Sequence, residues 1–120
     1  MWIYSQSTGD LWDDGGFKAA KGYSGYGSGK NNPQSESQRS VGPIPRGLWV
    51  IGEPYRSSRL GPLAIKLHES DHDARGRTYF RIHGDSISRP GEASRGCIVL
   101  NRPIREMIID SNDRILKVIE

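Results

Sequence analysis

A mainly β fold with one helix near the C-terminus is what this sequence predicts, on three observations. Only 34% of the 120 residues are hydrophobic and 15 are glycine, too lean a composition for packed long helices. The apolar residues fall in short runs broken by glycine, proline and polar turns. A single stretch, Ile104 to Ile108, carries the i, i+3, i+4 spacing of a helix with one buried face. The length fits one domain, residues 1–120, around a modest core.

The elements follow in chain order. Met1 to Tyr4 and Leu11 to Trp12 flank the turn residues Thr8-Gly9-Asp10 and predict a hairpin. Residues 22–33, GYSGYGSGKNNP, have a linker's composition, but Tyr23 and Tyr26 fit a structured turning loop equally well. The polar run QSESQRS, 34–40, is the expected mobile segment. Pro43 and Pro45 bar a central strand. Leu48 to Ile51 predicts a strand closed by Gly52 and Pro54. Leu63 to Leu67 and Thr78 to Ile82 predict two more, separated by a turn at Arg75-Gly76. Ile98 to Leu100 is a short apolar strand. Asn101 then caps a helix over 102–110, with Pro103 in its first turn and Ile104, Met107 and Ile108 facing inward. Ile115 to Ile119 is the last strand.

Charge and cysteine content narrow the function. The formal net charge of +3 comes from 17 basic and 14 acidic residues mixed along the chain. No Lys/Arg block forms a nucleic-acid footprint, whereas an anionic cell-wall polymer fits the mild bias. One cysteine excludes an internal disulfide. The opening MWIYSQSTGDLW has neither a basic n-region nor a long apolar run. No stretch approaches membrane-spanning length. The expectation is a protein made in the cytoplasm without a standard signal peptide and not embedded in a membrane.

The strongest chemical signal lies in FRIHGDSISRPGEASRGCIVL. Cys97 follows Gly96, and His83 precedes Gly84 fourteen residues upstream (97 − 83 = 14). A thiolate is the reactive form of cysteine, and an imidazole beside it serves as its base. His83 ends one predicted strand and Cys97 begins another, so strands lying side by side bring the two together. Gly84 and Gly96 let backbone approach a substrate, and the amides around Cys97 are candidate oxyanion donors. Asp85 either orients His83 or caps the following loop. Arg95 is a candidate clamp for a substrate carboxylate, since guanidinium offers a bidentate fork; Arg102 and Arg105 are more distant candidates.

The motif IHGD…ASRGCIVL resembles the active-site motif of L,D-transpeptidases of the YkuD type, which reads His-Gly, a gap, then Ser/Thr-His-Gly-Cys. The wider blocks WIYSQSTGDL, GYSGYGSGKNNP, VGPIPRGLWVIG, FRIHGD, ASRGCIVL and RILKVIE resemble the DUF2778 family in order and nearly end to end. That family includes the type VI secretion L,D-transpeptidase effectors called Tlde1. The resemblance implies a YkuD-like catalytic domain with no cofactor. It implies that Cys97 attacks the diaminopimelate carbonyl of a peptidoglycan tetrapeptide stem, with His83 as base and then acid. D-Ala leaves, and water or a D-amino acid resolves the thioester. Gly84 and Gly96 would support the oxyanion; Asp85, Ser94 and Arg95 would contact substrate. The implied partners are type VI secretion components and a periplasmic immunity protein, with action in the periplasm of a target cell. Arg95 stands where the general motif has His, and Val99 where it often has Arg. Both departures point away from a housekeeping cross-linking enzyme. That role, and a non-catalytic peptidoglycan-binding module, are the competing readings; an intact His–Cys pair argues against the module.

Other chemistry-bearing residues read as structural. HESDHD, with His68, Asp71, His72 and Asp73, is a polar turn after a strand, and no metal site is expected. Trp2, Trp12 and Trp49 are core or cleft-wall residues. Tyr23 and Tyr26 are candidates for a glycan groove.

Overall fold

A computed structural model of the protein describes residues 1–58 and 60–120. The described residues form nine strands and one α-helix. The strands are β1 (Trp2–Ser5), β2 (Asp10–Trp12), β3 (Lys18–Lys21), β4 (Tyr23–Ser24), β5 (Gly47–Ser57), β6 (Gly61–Ser70), β7 (Arg81–His83), β8 (Ile98–Val99) and β9 (Ile115–Ile119). The helix, α1, spans Arg102–Asp110 between β8 and β9. All nine strands form one mixed sheet in the order β3-β2-β1-β9-β5-β6-β7-β8-β4.

Local chemistry accounts for most of these elements. β1 and β2 pair antiparallel across the predicted turn, where Gly9 has φ +78°. β9 alternates cleanly, with Leu116 and Val118 buried between outward Ile115, Lys117 and Ile119. β5 and β6 form the long hairpin that carries the middle of the sheet. Gly52 and Pro54 do not close β5 as expected. The ladder shifts register between Ile51 and Pro54 and the strand continues to Ser57. A bulge accommodates the proline's missing donor without ending the strand.

The helix begins as predicted. Asn101 Oδ1 accepts the Ile104 amide at 3.1 Å, and Pro103 sits in the first turn. Its inward face differs. Ile104 and Ile108 are buried, but Met107 is half exposed and Arg105 takes the inner position. Arg105 lies there because its guanidinium finds the carbonyls of Leu100, Pro62 and Leu63 at 2.6–3.1 Å.

Two segments depart further from expectation. Thr78 to Phe80 is not strand: Tyr79 adopts φ +65°, and only Arg81–His83 forms β7. The run 34–40 is anchored instead of loose. Ser35 and Glu36 are buried, and Glu36 accepts hydrogen bonds from Gln6, the Arg46 amide and side chain, and Arg75 at 2.8–3.3 Å. Residues 22–33 form the structured alternative, with β4 followed by two 3₁₀ turns.

The ends of the sheet meet. β3 and β4 lie at opposite ends of the strand order, yet Gly22 alone separates them in the chain. The sheet therefore wraps round on itself. At the closure the Gly22 amide donates to Gly9 at 2.8 Å, and a Cβ on Gly22 would lie 2.0 Å from the Val99 carbonyl oxygen. Inside sits one core, which includes Trp2, Tyr4, Trp49, Ile65, Ile82 and Ile98. Trp12 is only partly buried and belongs neither to this core nor to the lining of the cleft that holds His83 and Cys97, contrary to the expectation for it. Among the described residues, no helix is long and apolar enough to cross a membrane.

Candidate active site

β7 and β8 pair in parallel, with Ile82 opposite Ile98 and His83 opposite Val99. Ile82 and Ile98 point into the core. Side chains alternate along a strand, so Arg81, His83 and Cys97 turn to the other face. There they line one open cleft of about 670 Å³. The two strands are adjacent as expected and both side chains line the same cleft, while the hydrogen-bond reach also expected of them is not seen among the described residues.

The pair is poised, not bonded. Among the described residues, no hydrogen bond joins the imidazole to the thiol. Cys97 is half-buried, and its Sγ donates to the Tyr79 carbonyl at 3.6 Å. His83 is buried, and its Nδ1 lies 2.8 Å from the Gly84 carbonyl. A carbonyl can only accept, so Nδ1 carries the proton and Nε2 is left as the basic nitrogen. Burial lowers the His83 pKa; the Gly84 bond opposes this, and Arg105 and Arg81 reinforce it. Burial raises the Cys97 thiol, against the pull of the Arg81 amide and guanidinium and of Arg77. Both shifts favour a neutral resting pair over a thiolate–imidazolium pair. The proton would then move as the sulfur attacks, which is general-base catalysis.

The neighbouring residues serve the loop more than the cleft. Ser94 is fully buried; its hydroxyl donates to the Cys97 carbonyl at 2.5 Å and accepts the amides of Gly25 and Gly96. It holds the Cys97 turn and is closed off from the cleft. The Gly96 amide is thereby engaged, so it is not a free oxyanion donor. Gly96 is required for space: at φ +139°, a Cβ would lie 2.5 Å from Arg77 Nη2 and 3.1 Å from Phe80. Gly84 packs beneath Arg105, whose Nη2 would be 2.7 Å from an added Cβ.

Asp85 does not orient His83. It accepts the Tyr23 hydroxyl at 2.7 Å and the amides of Ser86 and Gly91, closing the loop between β7 and β8. Burial would raise its pKa, but the Tyr23, Gly91 and Ser86 hydrogen bonds outweigh it and hold the carboxyl below its ordinary value. Tyr23 is thus a brace, not a glycan platform. Arg95 is exposed, with its guanidinium stacked 4.2 Å from the Tyr26 ring centroid. Arg102 pairs loosely with Glu106 on the surface of the helix. His72 uses both ring nitrogens on backbone, accepting the Ala74 amide at Nδ1 and donating to Leu48 from Nε2 at 2.8 Å.

Two arginines escaped the sequence reading. Arg77 is buried and donates to the carbonyls of Glu36, Gly42, Pro43 and Arg95 at 2.7–3.1 Å, tying the anchored 34–43 segment to the cysteine turn. Nothing in the sequence marks it. Arg81 sits two residues before His83 and so shares its face of β7, a relation that period-two alternation makes readable. Arg39, Arg77, Arg81 and Arg95 all line the cleft, and among its described lining residues none is acidic.

No curated protein and no solved structure matches the chain significantly. The model of one family, described as the Tlde1 domain, matches residues 18–119, which span β3 to β9 and include both His83 and Cys97. With that match over most of its length, the chain belongs to the Tlde1 domain family, a family of type VI secretion effector domains.

Proposed function

We propose that the protein is a cysteine L,D-carboxypeptidase of peptidoglycan that trims tetrapeptide stems to tripeptides, with D-amino-acid exchange as a second fate of the same acyl-enzyme. The observation that carries this reading is the opening of His83 and Cys97 from adjacent parallel strands into one arginine-lined cleft. A peptide with free carboxylates suits that charge, and a thiol beside a basic Nε2 suits acyl transfer.

The steps balance as follows. The Cys97 proton passes to His83 Nε2 as Sγ bonds the diaminopimelate carbonyl carbon. The bond from that carbon to the D-Ala nitrogen breaks, and the imidazolium protonates the departing amine. Water then gives a proton to Nε2 and attacks the thioester. The tripeptide leaves with a carboxylate and the thiol recovers its proton. A D-amino acid amine in place of water yields the exchanged tetrapeptide. On this reading the protein acts in the periplasm of a target cell after delivery by type VI secretion components, and the producer needs a periplasmic immunity protein.

Purified muropeptides incubated with the protein and resolved by mass should show tetrapeptide converted to tripeptide. Cys97→Ala should abolish the conversion with the fold retained. His83→Gln should slow turnover by about 10²–10⁴-fold, the usual share of general acid–base catalysis. A folded wild-type protein that leaves tetrapeptides untouched overturns the proposal.

A further inference from the structure

The strongest unexplained group in the cleft is Arg81. Its Nε is buried without a hydrogen-bond partner, an uncommon state for a charged side chain. One Nη donates to the Tyr79 carbonyl at 2.9 Å. The guanidinium lies between two rings, 5.9 Å from the Tyr55 centroid and 5.5 Å from the Tyr79 centroid. Both tyrosines line the cleft. No carboxylate pairs with Arg81 among the described residues, although the chain forms ion pairs elsewhere. A guanidinium fixed by one backbone carbonyl and set beside the Cys97 thiol, with no carboxylate partner and no acidic residue among the described cleft lining, is a site for an anion.

Its position selects which anion. Arg81 is level with Cys97 across the β7–β8 pair, one step before the Ile82–Ile98 partners. It is the cation that acts most on the thiol, ahead of Arg77, and it also acts on His83. Arg95 is stacked on Tyr26 and is not among the main influences on either group. An anion held by Arg81 therefore lies within a residue's length of the reacting carbonyl. In a peptide cut at its last bond, the terminal carboxylate has that relation to the scissile carbonyl.

We infer that Arg81, and not Arg95, binds the terminal carboxylate of the acyl donor, restricting cleavage to the last residue of a free chain end. This rests on the carboxypeptidase reading and adds the residue that makes the enzyme an exopeptidase. Arg81 would hold the leaving residue's carboxylate in a charge-assisted pair, beside the Tyr55 and Tyr79 rings.

The test compares kcat/KM for a tetrapeptide stem ending in a free carboxylate with that for the same stem ending in an amide. Wild type should prefer the acid. Arg81→Gln should lose that preference by about tenfold or more, the usual scale for a charged hydrogen bond. Arg81→Lys should restore part of it, and Arg95→Gln should leave it unchanged. An acid preference that survives in folded Arg81→Gln, or disappears in Arg95→Gln, overturns the inference. If wild type cleaves neither stem, the carboxypeptidase reading fails on its own. Arg81 is then judged by alkylation of Cys97. The rate ratio of iodoacetate to iodoacetamide should fall about tenfold in Arg81→Gln, and an unchanged ratio rejects an anion site beside the thiol.

Discussion

Gly96 shows how a single hydrogen atom can decide a site. Its φ of +139° lies outside the range of ordinary side chains, and a Cβ would press on Arg77 and Phe80. Arg77 cannot yield cheaply, because its four carbonyl partners hold it on both sides of the cysteine turn. Gly96→Ala should therefore destabilise the protein by about 1–3 kcal/mol through backbone strain alone. It should also lower turnover per folded molecule by displacing Cys97. Urea unfolding followed by alkylation kinetics on the same variant checks both; wild-type stability would show that the turn relaxes around a methyl group. At this scale the sequence singled out His83 and Cys97, which line one cleft, and the glycine beside the thiol. It did not disclose that Ser94 takes the Gly96 amide, or that Asp85 turns to Tyr23. The Asp85 outcome depends on Tyr23 of β4, 62 positions away, and Ser24 and Gly25 grip the cysteine turn from 72 and 69 positions away.

At the scale of elements, the anchored 34–43 segment is the part most coupled to pH. Burial would raise the Glu36 carboxyl, but the hydrogen bonds from Arg46 and Gln6 and the Arg46 charge outweigh burial and bring it down to about 2. Its ordinary value is 4.5. A carboxyl depressed on folding adds stability above the unfolded value, and that contribution is lost as pH falls from about 4.5 towards 2. Glu36→Gln should cost about 1.5–3 kcal/mol at neutral pH and flatten the loss of stability between those limits. Thermal melts from pH 2 to pH 7 measure both, and an unchanged slope would place the acid response elsewhere. Local patterning located the helix, its Asn101 cap and the alternation of β9, because those depend on neighbours along the chain. Glu36 read as mobile because its partners, Gln6, Arg46 and Arg75, are supplied by distant segments. Met107 read as buried because spacing alone does not reveal that Arg105 has three carbonyls waiting on the inner face.

For the whole molecule, the mainly β class with one helix was readable from composition and run length. The strand order was not, since β1 pairs in parallel with β9 at the far end of the chain. That pairing has a consequence for synthesis. β9 fills the gap between β1 and β5, and it follows every other described strand in the chain. A nascent chain halted before Ile115 holds two part-sheets with open edges, and no hairpin can substitute for the missing strand. The sheet closes only once Ile115 to Ile119 have emerged to pair with both β1 and β5. Chains arrested at residue 112 should then be cut by protease at concentrations that chains including β9 withstand. Equal resistance would mean that the two part-sheets fold independently. Late docking would leave the β1 and β5 edges open until that strand arrives, so the sheet that carries the His83 and Cys97 cleft is completed by the described strand that comes last in sequence order.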